Sequence, residues 1–196
     1  MSCESQGGLR EQIREQATRL FALRGFAGTS MRDLVEACQC TKAACYYYFP
    51  SKEALYRDVV EHHSARIDTL LRTTLGEQGS IRERLHAGLD SIIDYAQAEP
   101  LAMRLMQRLE LSPEDTAPAF DNCVSRETHV QMLSELVARG AATGEFRTDI
   151  DTAEGALVLA GAIQYQFDSS IASEIWDRKR MHNIIDLVLD GIANHE

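Results

Sequence analysis

Along residues 9–24 the apolar positions Leu9, Ile13, Ala17, Leu20 and Phe21 recur at helical spacing and predict an amphipathic first helix, with Gly25 as its C-terminal stop. The polar stretch before it, residues 1–8, reads as a disordered tail. A second periodic segment follows, in which Met31, Leu34, Val35 and Cys38 fall at i, i+3, i+4 and i+7. Ser30 is placed to cap that helix, and Asp33 sits where a carboxylate complements the open backbone N–H groups. The pattern breaks over Gln39, Cys40 and Thr41 and then resumes. Thr41 caps a third helix whose inward face is Cys40, Cys45 and Phe49, leaving Lys42, Ala43, Ala44, Tyr46 and Tyr47 outward. Pro50 stops it and Ser51 caps a long fourth helix through Leu55, Val59, Ile67, Leu70 and Leu71.

Beyond residue 75 the same reading gives more helices. Leu75 to Ser80 (LGEQGS) is the best loop and domain boundary. Ile81 to Ala98 is amphipathic and stops at Pro100, and Leu101 to Leu111 is a shorter Leu- and Met-rich helix. A turn over Ser112 to Pro118 leads to a helix from Ala119 to Arg139 that ends at Gly140. Asp151 caps a helix from about Thr152 to Ser173, and Ile175 to Ala193 forms the last one, with an interruption near Asp177. Sustained strand alternation, low-complexity bias and internal repeats are all missing from this reading, so the chain is predicted to be all-α, with about nine helices.

Composition changes that picture little, and charge changes it more. The 196 residues are 44% hydrophobic and 26% charged, ordinary for a globular chain. The longest apolar run, Ala153 to Ile163, is too short to span a bilayer and carries Glu154. With a polar MSCESQGG start in place of a signal-peptide core, a cytoplasmic protein without membrane contact is expected. The net charge of −10 argues against a nucleic-acid partner until the chain is divided. Residues 1–60 hold eight Lys or Arg against seven Asp or Glu, whereas residues 61–196 hold twelve against twenty-three. The acidity therefore belongs to the body, and the first sixty residues can still present a local cationic cluster of Arg32, Lys42 and Lys52.

The outward face of the third helix is an unusual one. Two small residues, a lysine and exposed phenols suit close approach to a surface of phosphates and base edges, with the helix N-terminus adding positive potential. Quoted in order, Thr29, Ser30, Met31, Arg32, Asp33, Leu34, Val35, then Thr41, Lys42, Ala43, then Tyr46, Tyr48, Phe49, Lys52 and Leu55 resemble the DNA-binding helix-turn-helix of the TetR family of bacterial repressors. The chain departs from that family at Gln39, where glycine is usual, and at Cys38, Cys40 and Cys45, where Ala, Val and Leu are usual. Those departures lie in the turn and on the buried face, not on the outward one.

The resemblance implies a domain order: a disordered tail over 1–8, a helix-turn-helix DNA-binding domain over 9–56 whose connector helix spans about 52–74, and an effector-binding and dimerisation domain over 75–196. It implies a homodimer on a double-stranded operator, a three-helix N-terminal head on a larger helical body, and repression relieved by a small-molecule effector. Ser30, Arg32, Thr41, Tyr46, Tyr48 and Lys52 would then hold phosphates, while Lys42, Ala43, Ala44 and Tyr47 lie against bases. Two apolar stripes look wider than one intramolecular contact requires: Ala156, Leu157, Leu159, Ala160, Ala162 and Ile163, and Ile184, Ile185, Leu187, Val188 and Ile192. By the resemblance these pair with their copies in a four-helix interface. The effector pocket it implies draws on Tyr95, Met103, Met106, Gln107, Phe120, His129, Met132, Gln164, Tyr165, Phe167 and Trp176, a set suited to an apolar, adaptable ligand.

The histidines His62, His63, His86, His129, His182 and His195 form no H-E-x-x-H, and the chain has no G-x-S-x-G, phosphate-binding G-x-x-x-x-G-K or G-x-G-x-x-G, so neither an enzyme nor a cofactor is expected. His62 and His63 point to different faces of their helix, one solvated and one interfacial. Cys38, Cys40 and Cys45 read first as small hydrophobes, with a thiol-redox switch as the alternative and a metal site disfavoured for want of a fourth ligand. A further alternative is a helical interaction module gripping a protein through its Tyr-rich face.

Overall fold

The structure is a computed structural model that describes residues 4–76, 78–111, 116–118 and 122–193, with the side chains of 4–7, 111 and 122–125 left aside. Within the described residues the elements are helices: α1 (Glu4–Arg24), α2 (Met31–Cys38), α3 (Lys42–Tyr48), α4 (Lys52–Gly76), α5 (Ile81–Ala98), α6 (Pro100–Leu111), α7 (Asn122–Thr143), α8 (Thr152–Ser173) and α9 (Arg178–Ile192). The chain forms two compact units, Met1–Ala65 with Glu99–Asp121, and Arg66–Ala98 with Asn122–Glu196. The boundary between the two units falls inside α4, between Ala65 and Arg66, and α6 belongs with the first unit.

The first unit is built on an apolar core of Ile13, Phe21, Leu34, Cys45, Leu55 and Val59, to which α6 adds Leu105 and Leu109. Its helices start and stop where their caps dictate. Gly25 adopts φ 76° and returns its N–H to the Phe21 carbonyl, closing α1. Ser30 and Asp33 form a reciprocal capping box on α2, with the Asp33 N–H to Ser30 Oγ at 3.2 Å and the Ser30 N–H to Asp33 Oδ2 at 2.8 Å. Thr41 Oγ1 accepts the Ala44 N–H at 3.1 Å and opens α3. Between them Gln39 takes the left-handed conformation, φ 51° and ψ 33°, where a glycine would be unstrained. At the other end, α1 begins at Glu4 and so takes in part of the segment expected to be a disordered tail.

The second unit packs α5, α7, α8 and α9 with the end of α4. Glu145 closes the start of α5, its carboxylate accepting the N–H groups of Ile81 at 3.1 Å and Arg82 at 3.4 Å. Two helix ends differ from the pattern-based reading. Gly140 does not terminate α7, which runs on to Thr143; its glycine instead makes room for the ring of Phe146, since a Cβ there would meet Phe146 Cδ2 at 2.3 Å. The left-handed residue is Gly144, at φ 79°. The last helix starts at Arg178, not Ile175, because Asp177 caps it by accepting the Arg180 N–H at 2.9 Å. Pro100, expected only as a stop, occupies the first position of α6, where its missing N–H costs nothing.

Candidate nucleic-acid interface

The helix pair α2 and α3 sets one face of the first unit. Cys45 and Phe49 are buried beneath α3, and Lys42, Ala43, Tyr46 and Tyr47 are exposed on it, Tyr47 being 75% exposed. Ala44 and Tyr48 are half-buried. Tyr48 stands edge-on to Tyr47 at a centroid distance of 5.1 Å, which stiffens the exposed ring, and the Lys42 ammonium lies 5.6 Å from the Tyr46 ring. The face therefore offers small residues, phenols beside them and an exposed cation at its N-terminal end, a shape that fits a major groove.

The flanking polar residues are less free than their sequence suggests. Ser30 gives its hydroxyl to Asp33, and this bond with the Ser30 N–H holds the Asp33 carboxyl below the usual carboxylate range. Arg32 is widely exposed yet paired with Glu36 at 2.8 Å, so phosphate contact requires exchange of one anion for another. Lys52, expected on phosphate, is half-buried: Nζ donates to the Phe26 carbonyl at 2.9 Å and sits 4.0 Å from the Phe26 ring centroid. It staples the turn after α1 to the start of α4, a tertiary contact that residue spacing could not reveal. Beneath the face, burial pushes the Cys38 thiol up to about 12 and the Cys45 thiol up to about 11, so both are neutral packing groups at neutral pH. Among the described residues no group of His, Cys, Asp and Glu is arranged to hold a metal ion.

The residues expected around an effector are divided between the units. Met103, Met106 and Gln107 lie on α6 in the first, the methionine at 103 buried and the other two half-buried. In the second unit Tyr95 is buried on α5, His129 and Met132 are half-buried on α7, and Phe167 packs edge-on to Trp176 at 5.7 Å. His129 Nε2 is 2.7 Å from Asp68 Oδ1, tying α7 to the second half of α4. Two of the set face outward instead. Tyr165 is 69% exposed, in line with Leu157 and Gly161 on α8, and Gln164 is exposed and bonded to Asp168 at 3.2 Å. Phe120 lies outside the described residues. His63 is the interior member of its pair and His62 the exposed one.

A capped helix, a tight left-handed turn and a second helix with an outward phenol and lysine face define a helix-turn-helix DNA-binding protein. Residues 13–59 match the family described as bacterial regulatory proteins, tetR family. The chain is 31% identical, over 72% of its length and 70% of the relative's, to the transcriptional repressor AcnR of Corynebacterium efficiens. It is 27% identical to the transcriptional repressor KstR2 of Rhodococcus jostii, over 96% of this chain and 93% of that one. A TetR-like regulator from Rhodococcus sp. RHA1 superposes with a TM-score of 0.74 at 19% identity, covering 92% of this chain and 93% of the other. The ketosteroid regulator KstR2 of Mycobacterium tuberculosis gives 0.69 at 18%, covering 98% and 97%. The chain belongs to the TetR family and is a transcriptional regulator rather than an enzyme. Regulators of this family bind operator DNA and act as dimers. No helix among the described residues is long and apolar enough to cross a membrane.

Proposed function

We propose that the protein is a homodimeric repressor that holds a palindromic operator through two copies of α3 and releases it when a small apolar effector binds in the second unit. The observation that carries the DNA half of this reading is the exposed Lys42, Ala43 and Tyr47 face over a buried Cys45 and Phe49. Lys42, Ala43, Ala44 and Tyr47 read base edges; Ser30, Arg32, Thr41, Tyr46 and Tyr48 meet phosphates, with Lys52 holding the start of α4 beside them. The name of the relative AcnR, a transcriptional repressor, favours repression over activation.

Support for the dimer comes from α8 and α9. Leu157, Val158 and Tyr165 on α8 and Leu187 on α9 are exposed large apolar groups, Leu187 at 72%. Gly161 and Gly191 beside them have open space where a Cβ would stand. Glycine inside a helix costs about 1 kcal/mol relative to alanine, and close approach of a second helix gives it a use. Two α3 helices related by a two-fold then meet half-sites about one helical turn apart. The effector reading rests on Met132, Tyr95, Phe167 and Trp176 in the second unit and on the Asp68–His129 pair, which links α7 to the helix that leads into the DNA-binding motif.

Site selection from random duplexes tests the DNA half of the reading. The expected product is an inverted repeat with half-sites about one turn apart, and Lys42→Ala should change the preferred base at one position in each half. Selection of unrelated sequences, or an unchanged preference in the variant, would refute it.

A further inference from the structure

Residues 82–94 of α5 and 178–190 of α9 carry one pattern twice: R-x-x-apolar-H-x-x-apolar-D-x-x-apolar-D. In α5 it is Arg82, Leu85, His86, Leu89, Asp90, Ile93 and Asp94; in α9 it is Arg178, Met181, His182, Ile185, Asp186, Leu189 and Asp190. All six apolar members are buried. This is an internal repeat, which the sequence reading denied, and the two copies pack against each other.

Their polar members form a ladder with local two-fold character. Arg82 pairs with Asp186 and Asp190, and Arg178 pairs with Asp90 and Asp94. His86 Nε2 lies 2.8 Å from Asp186 Oδ1, and His182 Nε2 lies 3.0 Å from Asp90 Oδ1. The two imidazoles stack face to face at 4.1 Å with 5° between their planes. Exchanging each α5 position for its α9 counterpart converts every one of these contacts into another, with the histidine stack on the axis. The Nε2 atoms are aimed at opposite carboxylates and do not converge, so the ladder is not a metal site.

Exposed ion pairs stabilise a fold little, but opposed like charges select strongly against wrong pairings. The buried apolar row alone tolerates sliding, since one turn merely exchanges Leu, Ile and Met. The polar row opposes it, although each arginine keeps one of its two carboxylates. A slide of one turn in one sense sets Asp90 against Asp186, and in the other it sets Arg82 against His182 and Arg178 against His86. We propose that this ladder is a register lock on α9, and that Arg82, His86, Asp90, Asp94 and their counterparts are positioning residues for dimerisation. The inference rests on the reading that Leu187 and the outer face of α8 meet a second copy, because the lock fixes where Leu187 stands on the subunit.

The test reverses the ladder. One variant carries Arg82→Asp, Asp90→Arg and Asp94→Arg; a second carries Arg178→Asp, Asp186→Arg and Asp190→Arg; a third carries all six. Dimer dissociation is measured by sedimentation on dilution, helical content by circular dichroism, with Leu187→Asp as reference. Each half-reversed chain should dissociate at about tenfold higher concentration or more, and the fully reversed chain should recover part of that loss, since its Arg–Asp pairs are restored while His86 and His182 now face arginines. Mixing the two half-reversed chains should not restore the dimer, because the ladder pairs within one chain. If a half-reversed chain does not fold, Arg178→Gln and Asp94→Asn replace it, and their effects on dissociation should be non-additive. Half-reversed chains as dimeric as the parent beside a monomeric Leu187→Asp, a full reversal no better than its halves, restoration on mixing, or additive effects of the milder pair would overturn the lock. A Leu187→Asp chain that stays dimeric refutes the dimer face itself, a separate failure.

Discussion

Burial of His63 makes the stability of the first unit depend on pH. The side chain is 5% exposed on α4, and its Nε2 is 2.9 Å from Thr18 Oγ1. Thr18 spends its one hydroxyl proton on the Arg14 carbonyl at 2.9 Å, so His63 is the donor and carries its proton on Nε2. Burial, with the nearby His62 and Arg14 adding to it, lowers its pKa from 6.5 to about 4. The unfolded chain therefore binds a proton below about pH 6.5 that the folded unit refuses until about pH 4, and stability present above 6.5 is lost as pH falls. At about 1.4 kcal/mol per pH unit the full loss is about 3 kcal/mol, of which about 2 kcal/mol is reached by pH 5. The assay is amide exchange of α1 and α4 at pH 7.5 and pH 5, since the lone Trp176 reports on the other unit. The perturbation is His63→Phe, which keeps a ring and removes the titration. The parent should lose about 2 kcal/mol more protection than the variant across that range. Equal pH dependence in the two proteins would refute the reasoning.

Other outcomes follow from single contacts. Gln39→Gly should stabilise the first unit by about 1 kcal/mol in denaturant unfolding with an unchanged slope, because it relieves a left-handed, exposed residue; no change or a loss refutes the strain. Glu36→Gln should tighten DNA binding several-fold and steepen its salt dependence, since Arg32 is then released from its ion pair to a phosphate; unchanged affinity in a salt titration counts against that contact. Peroxide at neutral pH should leave Cys38 and Cys45 unmodified by mass spectrometry, because their raised pKa values keep the thiolate fraction negligible, and rapid oxidation of either would revive the redox alternative.

The caps were legible because they are local. Ser30, Thr41 and Asp151 each stand one residue before a periodic run, and each accepts a backbone N–H of the first turn, from Asp33, from Ala44, and from Ala153 and Glu154 respectively. What spacing could not carry is contact between distant residues. Gly140 reads as a helix stop until Phe146 is seen to occupy the space a side chain would need. Lys52 reads as a surface cation until the Phe26 carbonyl and ring are found beside it. Tyr165 counts as a cavity candidate by type, yet its angular position on α8 puts it with Leu157 on the outer face. The repeated motif of α5 and α9 was visible in principle. A search for identical runs misses it because the five identities in each thirteen-residue stretch, two Arg, one His and two Asp, are never adjacent, and the meaning of that spacing emerges once the two helices are antiparallel neighbours.

The central claim is that Tyr47 and its neighbours on α3 read bases, and a comparison of two duplexes tests it most directly. Parent and Tyr47→Ala proteins are titrated at one salt concentration against the selected operator and against a scrambled duplex of equal length. The account predicts a loss of about tenfold or more on the operator, with scrambled binding unchanged, because one base contact is worth about 1–3 kcal/mol of discrimination. Equal losses on both duplexes, or none on either, would contradict it.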